Sequence, residues 1–257
     1  MEELKLGEMI NKAIVDGTLS GYLNYLNERK EKQREMNISG AYAWVKGNHI
    51  DNQVSIIGQQ QKIKFKIEKA GYSWEYLQFT VSENDEEYMF IVKNSKQVEK
   101  SIDEQKQRGK TDNYLTSLAD INRNIFKNTE KRRVQQNVQI KLELDSQEEV
   151  NAIMEGTQLQ VHQPYARFYI VTYEIDDATK FITSIKLTMP NRQTMNLELI
   201  EDLTHLIEKS IHQITADDVE PIRNEKGSDS SVFSGDTNSF GYSVPEADSG
   251  EETGTGN

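Results

Sequence analysis

Residues 62–93 read KIKFKIEKAGYSWEYLQFTVSENDEEYMFIVK, and this stretch decides the fold. Apolar Ile63, Phe65 and Ile67 alternate with charged residues, which is the two-residue period of a half-buried strand. Two further strand-like runs follow, YSWEYLQFTV and YMFIVK, and turn-forming residues separate the three runs at Ala70-Gly71 and in SENDEE. The stretch therefore predicts an antiparallel meander of three strands.

The residues before the meander predict an N-terminal helical part that spans residues 1–58. Apolar residues recur at mostly helical spacing from Leu4 to Ile14. Asp16-Gly17 predicts the end of this first helix, and Thr18 is a suitable cap for a second one. A third helix is expected within residues 38–57.

The residues after the meander predict both helices and further strands. The expected elements are a helix within 95–127, a strand at 133–144, a short helix from Ser146 to about Gly156, strands at 166–175 and 181–189, and an amphipathic helix within 197–214. Together these patterns predict a single α+β domain over residues 1–220, with an antiparallel sheet and helices at both ends.

Residues 221–257 differ in composition from the rest of the chain. They are rich in Gly, Ser, Thr, Asp and Glu, and they carry seven acidic against two basic residues, a net charge of −5. Their sparse apolar residues cannot offset the entropy cost of ordering the segment. We therefore predict a disordered acidic C-terminal tail.

The composition excludes several classes of site and favours one compartment. The chain has no cysteine, which excludes disulfides, thiolate metal centres and a thiol nucleophile. Its acidic N-terminus lacks a signal-peptide pattern, and no run is long enough to span a membrane. We expect a cytoplasmic protein without a membrane contact. The net charge of −12 disfavours binding to nucleic acid.

Motifs for nucleotides, cofactors and metals are absent from the sequence. It contains no phosphate-binding glycine loop and no nucleophile elbow, and no two of its four histidines stand four residues apart. Asp176 and Asp177 are adjacent between two predicted strands, where their side chains would point to opposite faces. They are interpreted as turn residues, and neither a cofactor nor a metal is predicted.

One enzymatic alternative remains open, a diverged restriction-type nuclease. Such enzymes hold a divalent ion with an acid on one strand and an acid-x-Lys motif on the next, in which Gln can replace the acid. Gln139 and Lys141 have this spacing on a predicted strand, Glu143 follows them, and Glu87 is the available acid on the preceding strand. The tripeptide is short, and alternating polar positions in strands often produce it by chance.

A second alternative is a nucleic-acid-binding surface without catalysis. Lys62, Lys64 and Lys66 are expected to share one face of the first strand. Basic residues near aromatic side chains can bind single strands, although lysines also protect exposed sheet edges. For a protein partner, the candidate interaction surface consists of the aromatic and histidine residues Trp44, His49, Tyr72, Trp74 and Tyr76.

Five segments carry a general resemblance over about residues 40–210: WEYLQFTV, YMFIVKN, YLTSLADINRNI, FYIVTYEIDDATKFITSIKLTMPN and LELIEDLTHLIEK. In these the chain resembles uncharacterised proteins of low-GC Gram-positive bacteria and their phages. The resemblance implies a cytoplasmic phage or prophage accessory protein and assigns no site residues. The leading hypothesis is therefore a non-catalytic accessory or regulatory factor of a phage or mobile element that acts through an unknown protein partner.

Overall fold

In the part of the chain that the structure describes, helices pack on both faces of a six-stranded sheet. The computed structural model of the chain describes residues 2–70, 74–108, 114–126, 165–194 and 196–223. The α+β class is confirmed. In the described ranges, no helix is both long and apolar enough to span a membrane.

The N-terminal part is a helical hairpin rather than three helices. Helix α1 runs without a break from Glu8–Glu35, and α2 covers Lys46–Gly58 after a 3-10 segment, Gly40–Val45. The predicted helix end at Asp16-Gly17 is wrong. The carboxylate of Asp16 accepts hydrogen bonds from Ser210 and Lys12, so it is held by tertiary partners and does not end the helix.

The glycines of α1 serve packing and not termination. A Cβ added to Gly17 would lie 2.6 Å from Cα of Val54, and one added to Gly21 would lie 2.4 Å from Cα of Ile50. These two positions therefore allow α2 to approach the backbone of α1 more closely than any side chain would permit.

The strands among the described residues are β1 (Lys64–Ala70), β2 (Trp74–Glu83), β3 (Glu86–Asn94), β4 (Tyr165–Ile175), β5 (Ile182–Asn191) and β6 (Asn196–Asp202). They lie side by side in chain order. All neighbours are antiparallel except β3 and β4, which are parallel. The predicted meander β1–β3 is confirmed, and the expectation of a wholly antiparallel sheet is corrected at this one pair.

Each face of the sheet has its own apolar core. Helices α1 and α2 cover the face that carries Phe79, Phe90 and Tyr169. The opposite face, with Met89 and Phe168, packs against the helices that follow β3, which are α3 (Ser95–Arg108) and α4 (Tyr114–Ala119) with the 3-10 turn Asp120–Asn122. Helical structure within the predicted range 95–127 is thereby confirmed.

The amphipathic helix expected within residues 197–214 is wrong. Residues 196–202 form strand β6, and a 3-10 turn, Thr204–Leu206, follows it. In the pairing with β5, Leu187 faces Glu201 and Thr188 faces Leu199, so Ile200 is an extra residue that forms a bulge. The bulge breaks the two-residue period, and the apolar residues then acquire spacings of three and four that imitate a helix.

Two of the predicted elements lie outside the described residues, the strand at 133–144 and the short helix from Ser146. Most of the predicted tail, residues 224–257, lies outside them as well. The boundary of the domain is later than expected, because Glu220–Ile222 form a 3-10 turn after the short helix α5, Ala216–Val219. Ile222 is buried, and the carbonyl of Pro221 accepts a hydrogen bond from Gln33 on α1.

The revised boundary predicts different results for two truncations. Ending the chain after Arg223 should leave the melting temperature within about 2 °C, since the removed residues are poor in apolar side chains. Ending it after Glu220 removes the buried Ile222, which is worth about 2 kcal/mol, and should lower the melting temperature by about 4–8 °C. Differential scanning calorimetry of both chains checks this, and equal melting temperatures would contradict the boundary at Arg223.

Candidate interaction surface

Strand β1 forms one edge of the sheet and has β2 as its one pairing strand among the described residues. Its pairing with β2 is regular from Lys64 opposite Thr80 to Ala70 opposite Trp74, without a shift in register. A regular edge strand offers a row of backbone groups to another chain. Natural sheets often disrupt such edges with bulges, and β1 has none.

The peptide groups that β1 directs outward belong to Phe65, Ile67 and Lys69. The N–H of Leu77 donates to the carboxylate of Asp51 at 3.2 Å and is therefore not bonded to Ile67, the residue opposite it. In an antiparallel pair, hydrogen-bonded and non-hydrogen-bonded positions alternate. The odd-numbered residues of β1 consequently direct their N–H and C=O groups away from β2.

Two large apolar side chains on this strand are exposed. Phe65 is 45% exposed and Ile67 is 63% exposed, although their partners Phe79 and Leu77 belong to or pack against the core under α1 and α2. The helical hairpin thus stops short of the outermost strand. The alternation of apolar and charged residues correctly predicted strand β1. It contained no signal that the apolar side chains of this strand would be exposed.

The other face of β1 is charged and mixed in sign. Lys64 and Lys66 share this face with Glu68, and Lys66 forms an ion pair with Glu68 at 2.8 Å. Lys62 lies before the strand in a left-handed turn with φ of 59°. The predicted basic face of three lysines is therefore shorter than expected, and an acid, Glu68, follows its two remaining lysines.

The predicted aromatic surface does not form one patch. Trp44 is 41% exposed in the 3-10 segment before α2, and His49 packs edge-on against Tyr25 at 6.3 Å between ring centroids. Burial lowers the pKa of His49. Tyr76 is buried in the core on the opposite face of the sheet. Trp74 begins β2, and Tyr72 lies outside the described residues.

The proposed nuclease residues are not assembled in the described part of the chain. Glu87 lies near the start of β3, half-buried, opposite Ser82 and Tyr165. Gln139, Lys141 and Glu143 lie outside the described residues. Across the described ranges, no group of three or more His, Asp or Glu side chains is placed to hold a metal ion.

Asp176 and Asp177 lie in the turn between β4 and β5, as predicted. Asp176 accepts hydrogen bonds from the backbone N–H groups of Ala178 and Thr179 and from the hydroxyl of Thr179, which lower its pKa. Asp177 pairs instead with Lys96 at 2.7 Å. The two carboxylates therefore have separate partners, and the turn interpretation is confirmed.

A cavity of about 520 Å³ lies at the N-terminus of α1, and its polar groups are largely occupied with one another. Glu83 accepts the N–H of Gly7, while Glu201 accepts a hydrogen bond from Asn11 and lies 3.7 Å from Lys5. These contacts tie the first turn of α1 to β2 and β6. The acidic residues that line the cavity therefore have a structural role, because they hold the start of α1 in place.

The sequence did not indicate one buried polar group, Asp51 on α2. The pairing of β2 with β3 ends at Phe79 and Phe90. Just beyond that point, the carboxylate of Asp51 accepts a hydrogen bond from the N–H of Leu77. Burial raises the pKa of Asp51 to about 6, against the opposing effects of Lys93 and of the Leu77 N–H. An acid directly after Ile50, within the helix expected at residues 38–57, was the available signal.

Lys93 is the cationic neighbour of Asp51. Its ammonium lies 5.0 Å from the centre of the Tyr76 ring, and desolvation lowers its pKa against the attraction of Asp51. The amide of Gln78 donates to the Tyr76 hydroxyl at 2.8 Å. Asp51, Lys93, Tyr76 and Gln78 form a polar cluster with a structural role at the point where β2 and β3 diverge. There Asp51 accepts a hydrogen bond from a backbone N–H that β3 does not reach.

The raised pKa of Asp51 predicts a specific pH dependence of stability. A carboxyl whose pKa is higher in the folded state stabilises the fold most below its ordinary value of 3.8, and this contribution is lost as the pH rises through about 6. Relative to Asp51→Asn, the wild type should therefore lose about 2 kcal/mol of unfolding free energy between pH 4 and pH 7. Urea denaturation of both proteins across this range measures the difference, and parallel curves would contradict it.

Comparison of the chain with protein-family models, with curated proteins and with solved structures found no match. The fold and the chemistry of the surface are therefore the guides to its function.

Proposed function

We propose that this protein is a non-catalytic binding protein that pairs an extended strand of a partner with its β1 edge. The observation that carries the proposal is the regular β1 edge, which no other strand of the described residues covers and on which Phe65 and Ile67 are exposed. Strand addition is a common mode of recognition, in which main-chain hydrogen bonds supply affinity and alternate side chains supply specificity. The expected origin from a phage or mobile element and the cytoplasmic location stay predictions.

Binding of a protein strand fits the charges of β1 better than binding of nucleic acid. The Lys66–Glu68 ion pair places an acid among the lysines, and a phosphate backbone would meet that carboxylate. The net charge of the chain, −12, also opposes attraction of polyanions. A partner strand with alternating apolar and charged side chains would match both faces of β1.

Site-specific photo-crosslinking tests the proposal. A photoreactive amino acid replaces Ile67 in one protein and Ile56 in a control, because Ile56 is also an exposed isoleucine (49%) but lies on α2. In the cells that normally make the protein, position 67 should give one discrete, identifiable adduct that disappears when Phe65→Glu is added. Position 56 should not give this adduct. Equal adducts at both positions, or none at position 67, would refute binding at the β1 edge.

A further inference from the structure

We infer that the strand that pairs with β1 is β1 of a second copy of this chain. This inference rests on the proposed function and names the partner of the same edge. In the expected dimer, a two-fold axis perpendicular to the sheet passes through the Ile67–Ile67 pair, and the two sheets join into one continuous sheet. Closed two-fold pairs of this kind are the commonest homo-oligomers.

Charge complementarity fixes this register. With the axis at Ile67, Lys66 of each copy lies opposite Glu68 of the other, so the two existing ion pairs become a closed ring of four alternating charges. On the other face, the two Ile67 side chains meet, and Phe65 lies opposite the aliphatic stem of Lys69. Cross-strand pairs of these kinds stabilise antiparallel strands.

The neighbouring register is less favourable. With the axis at Lys66, two lysine side chains would lie directly opposite each other at the centre of the interface. Like charges in this position destabilise a strand pair. A register shifted by a single residue is not available, because it would place apolar side chains of one copy on the charged face of the other.

The backbone pattern also suits the axis at Ile67. The outward N–H and C=O groups belong to Phe65, Ile67 and Lys69, as the contact of Leu77 with Asp51 shows. Ile67 would exchange two hydrogen bonds with its symmetry mate, and Phe65 would exchange two with Lys69 on each side. All outward groups of these three residues are thereby paired.

The opposite edge of the sheet is a poorer partner for β1. Strand β6 contains the bulge at Ile200, and its Glu201 is already engaged by Asn11 and Lys5. Pairing of β1 with β6 would also be heterologous and would produce an open chain of molecules rather than a closed pair. Pairing of β1 with β1 therefore predicts the mass of a dimer, whereas pairing of β1 with β6 predicts larger assemblies of varying mass.

Charge reversal tests the partner. Sedimentation equilibrium of the full chain over about 1–500 µM should show a monomer–dimer equilibrium, since small interfaces dissociate in this range. Lys66→Glu and Glu68→Lys should each raise the dissociation constant about tenfold or more, and the double variant should restore it. Lys30→Glu, the same charge change on an exposed residue of α1, should have no effect. Circular dichroism verifies that each variant is folded.

Disulfide formation tests the register, because the chain has no cysteine of its own. With the axis at Ile67, the Cα atoms of two Ile67→Cys residues lie about 5.5 Å apart, within disulfide range. Those of two Lys66→Cys residues lie about 8 Å apart, beyond it. Mild oxidation should thus link Ile67→Cys chains at least about fivefold faster than Lys66→Cys chains.

A chain that is monomeric throughout the range, or that forms open polymers, would overturn the inference. So would a double charge variant that fails to recover, or faster linking at position 66. These failures are separate from failure of the proposed function. A monomer whose position 67 still crosslinks to one different protein would retain strand addition and refute only the second copy as its partner.

Discussion

Replacing Gly21 with alanine should lower the free energy of unfolding by about 3 kcal/mol and the melting temperature by about 6–12 °C. The new methyl group would lie 2.4 Å from Cα of Ile50 and 2.7 Å from the carbonyl oxygen of His49. Both are backbone atoms of α2, which cannot move aside as a flexible side chain can. Alanine favours an isolated helix by up to about 1 kcal/mol over glycine, so the steric cost exceeds the gain in propensity.

Gly47→Ala is the matched control for this substitution. Gly47 lies in α2, and a Cβ there would meet no atom within 4 Å. The same change at this position should therefore leave stability unchanged or raise it by as much as about 1 kcal/mol. Thermal unfolding of both variants measures the contrast. Similar melting temperatures for the two would contradict the close approach of α1 and α2.

Replacing Asn122 with alanine should cost about 2–4 kcal/mol. Asn122 is fully buried after α4, and its side chain accepts the N–H of Phe168 and donates to the carbonyls of Phe168 and Pro190. Pro190 has no N–H to offer to β4, so Asn122 supplies the donor that the proline lacks. Without the amide, buried backbone groups of β4 and β5 would be left unpaired.

Asn124→Ala is the control for Asn122, since Asn124 lies two residues further along and is exposed. Its replacement should change the free energy of unfolding by less than about 0.5 kcal/mol. Urea denaturation with a common slope gives both values. If Asn122→Ala were as mild as its control, the bridge between β4 and β5 would not be a determinant of stability.

Local patterns in the sequence were sufficient for the strands whose neighbours are near in the chain. The alternation around Phe65 and Phe79, and the turn residues between β4 and β5, predicted these strands to within a few residues. Such elements follow from side-chain period and turn chemistry alone. Elements that depend on distant contacts were predicted less well.

Three errors share this physical origin. Gly17 looks like a helix end until Val54 is placed against it. The bulge at Ile200 imitates a helical spacing, and the parallel pairing of β3 with β4 depends on a long connection. Asp51 shows the same limit for sites, because its role depends on where β2 leaves β3. A single sequence contains no signal for contacts of this kind.

The candidate interaction surface was predicted only in part from the sequence. The sequence predicted the charged and apolar sides of β1, but it grouped Trp44, which is exposed before α2, with Tyr76, which is buried on the face of the sheet opposite α1 and α2. Whether an edge strand is covered depends on the length and position of the helical layer. Here α2 ends at Gly58, and Phe65 and Ile67 remain exposed beyond it.

Residue-resolved amide hydrogen exchange tests most directly whether β1 pairs with β1 of a second copy of the chain. The N–H groups of Phe65, Ile67 and Lys69 point outward, whereas those of Lys66 and Glu68 point toward β2. On going from a dilute to a concentrated solution of the chain, exchange of the three outward amides should slow by about tenfold or more, while the two inward amides keep their rates. Unchanged exchange at all three outward amides would contradict pairing of β1 with a second copy of the chain.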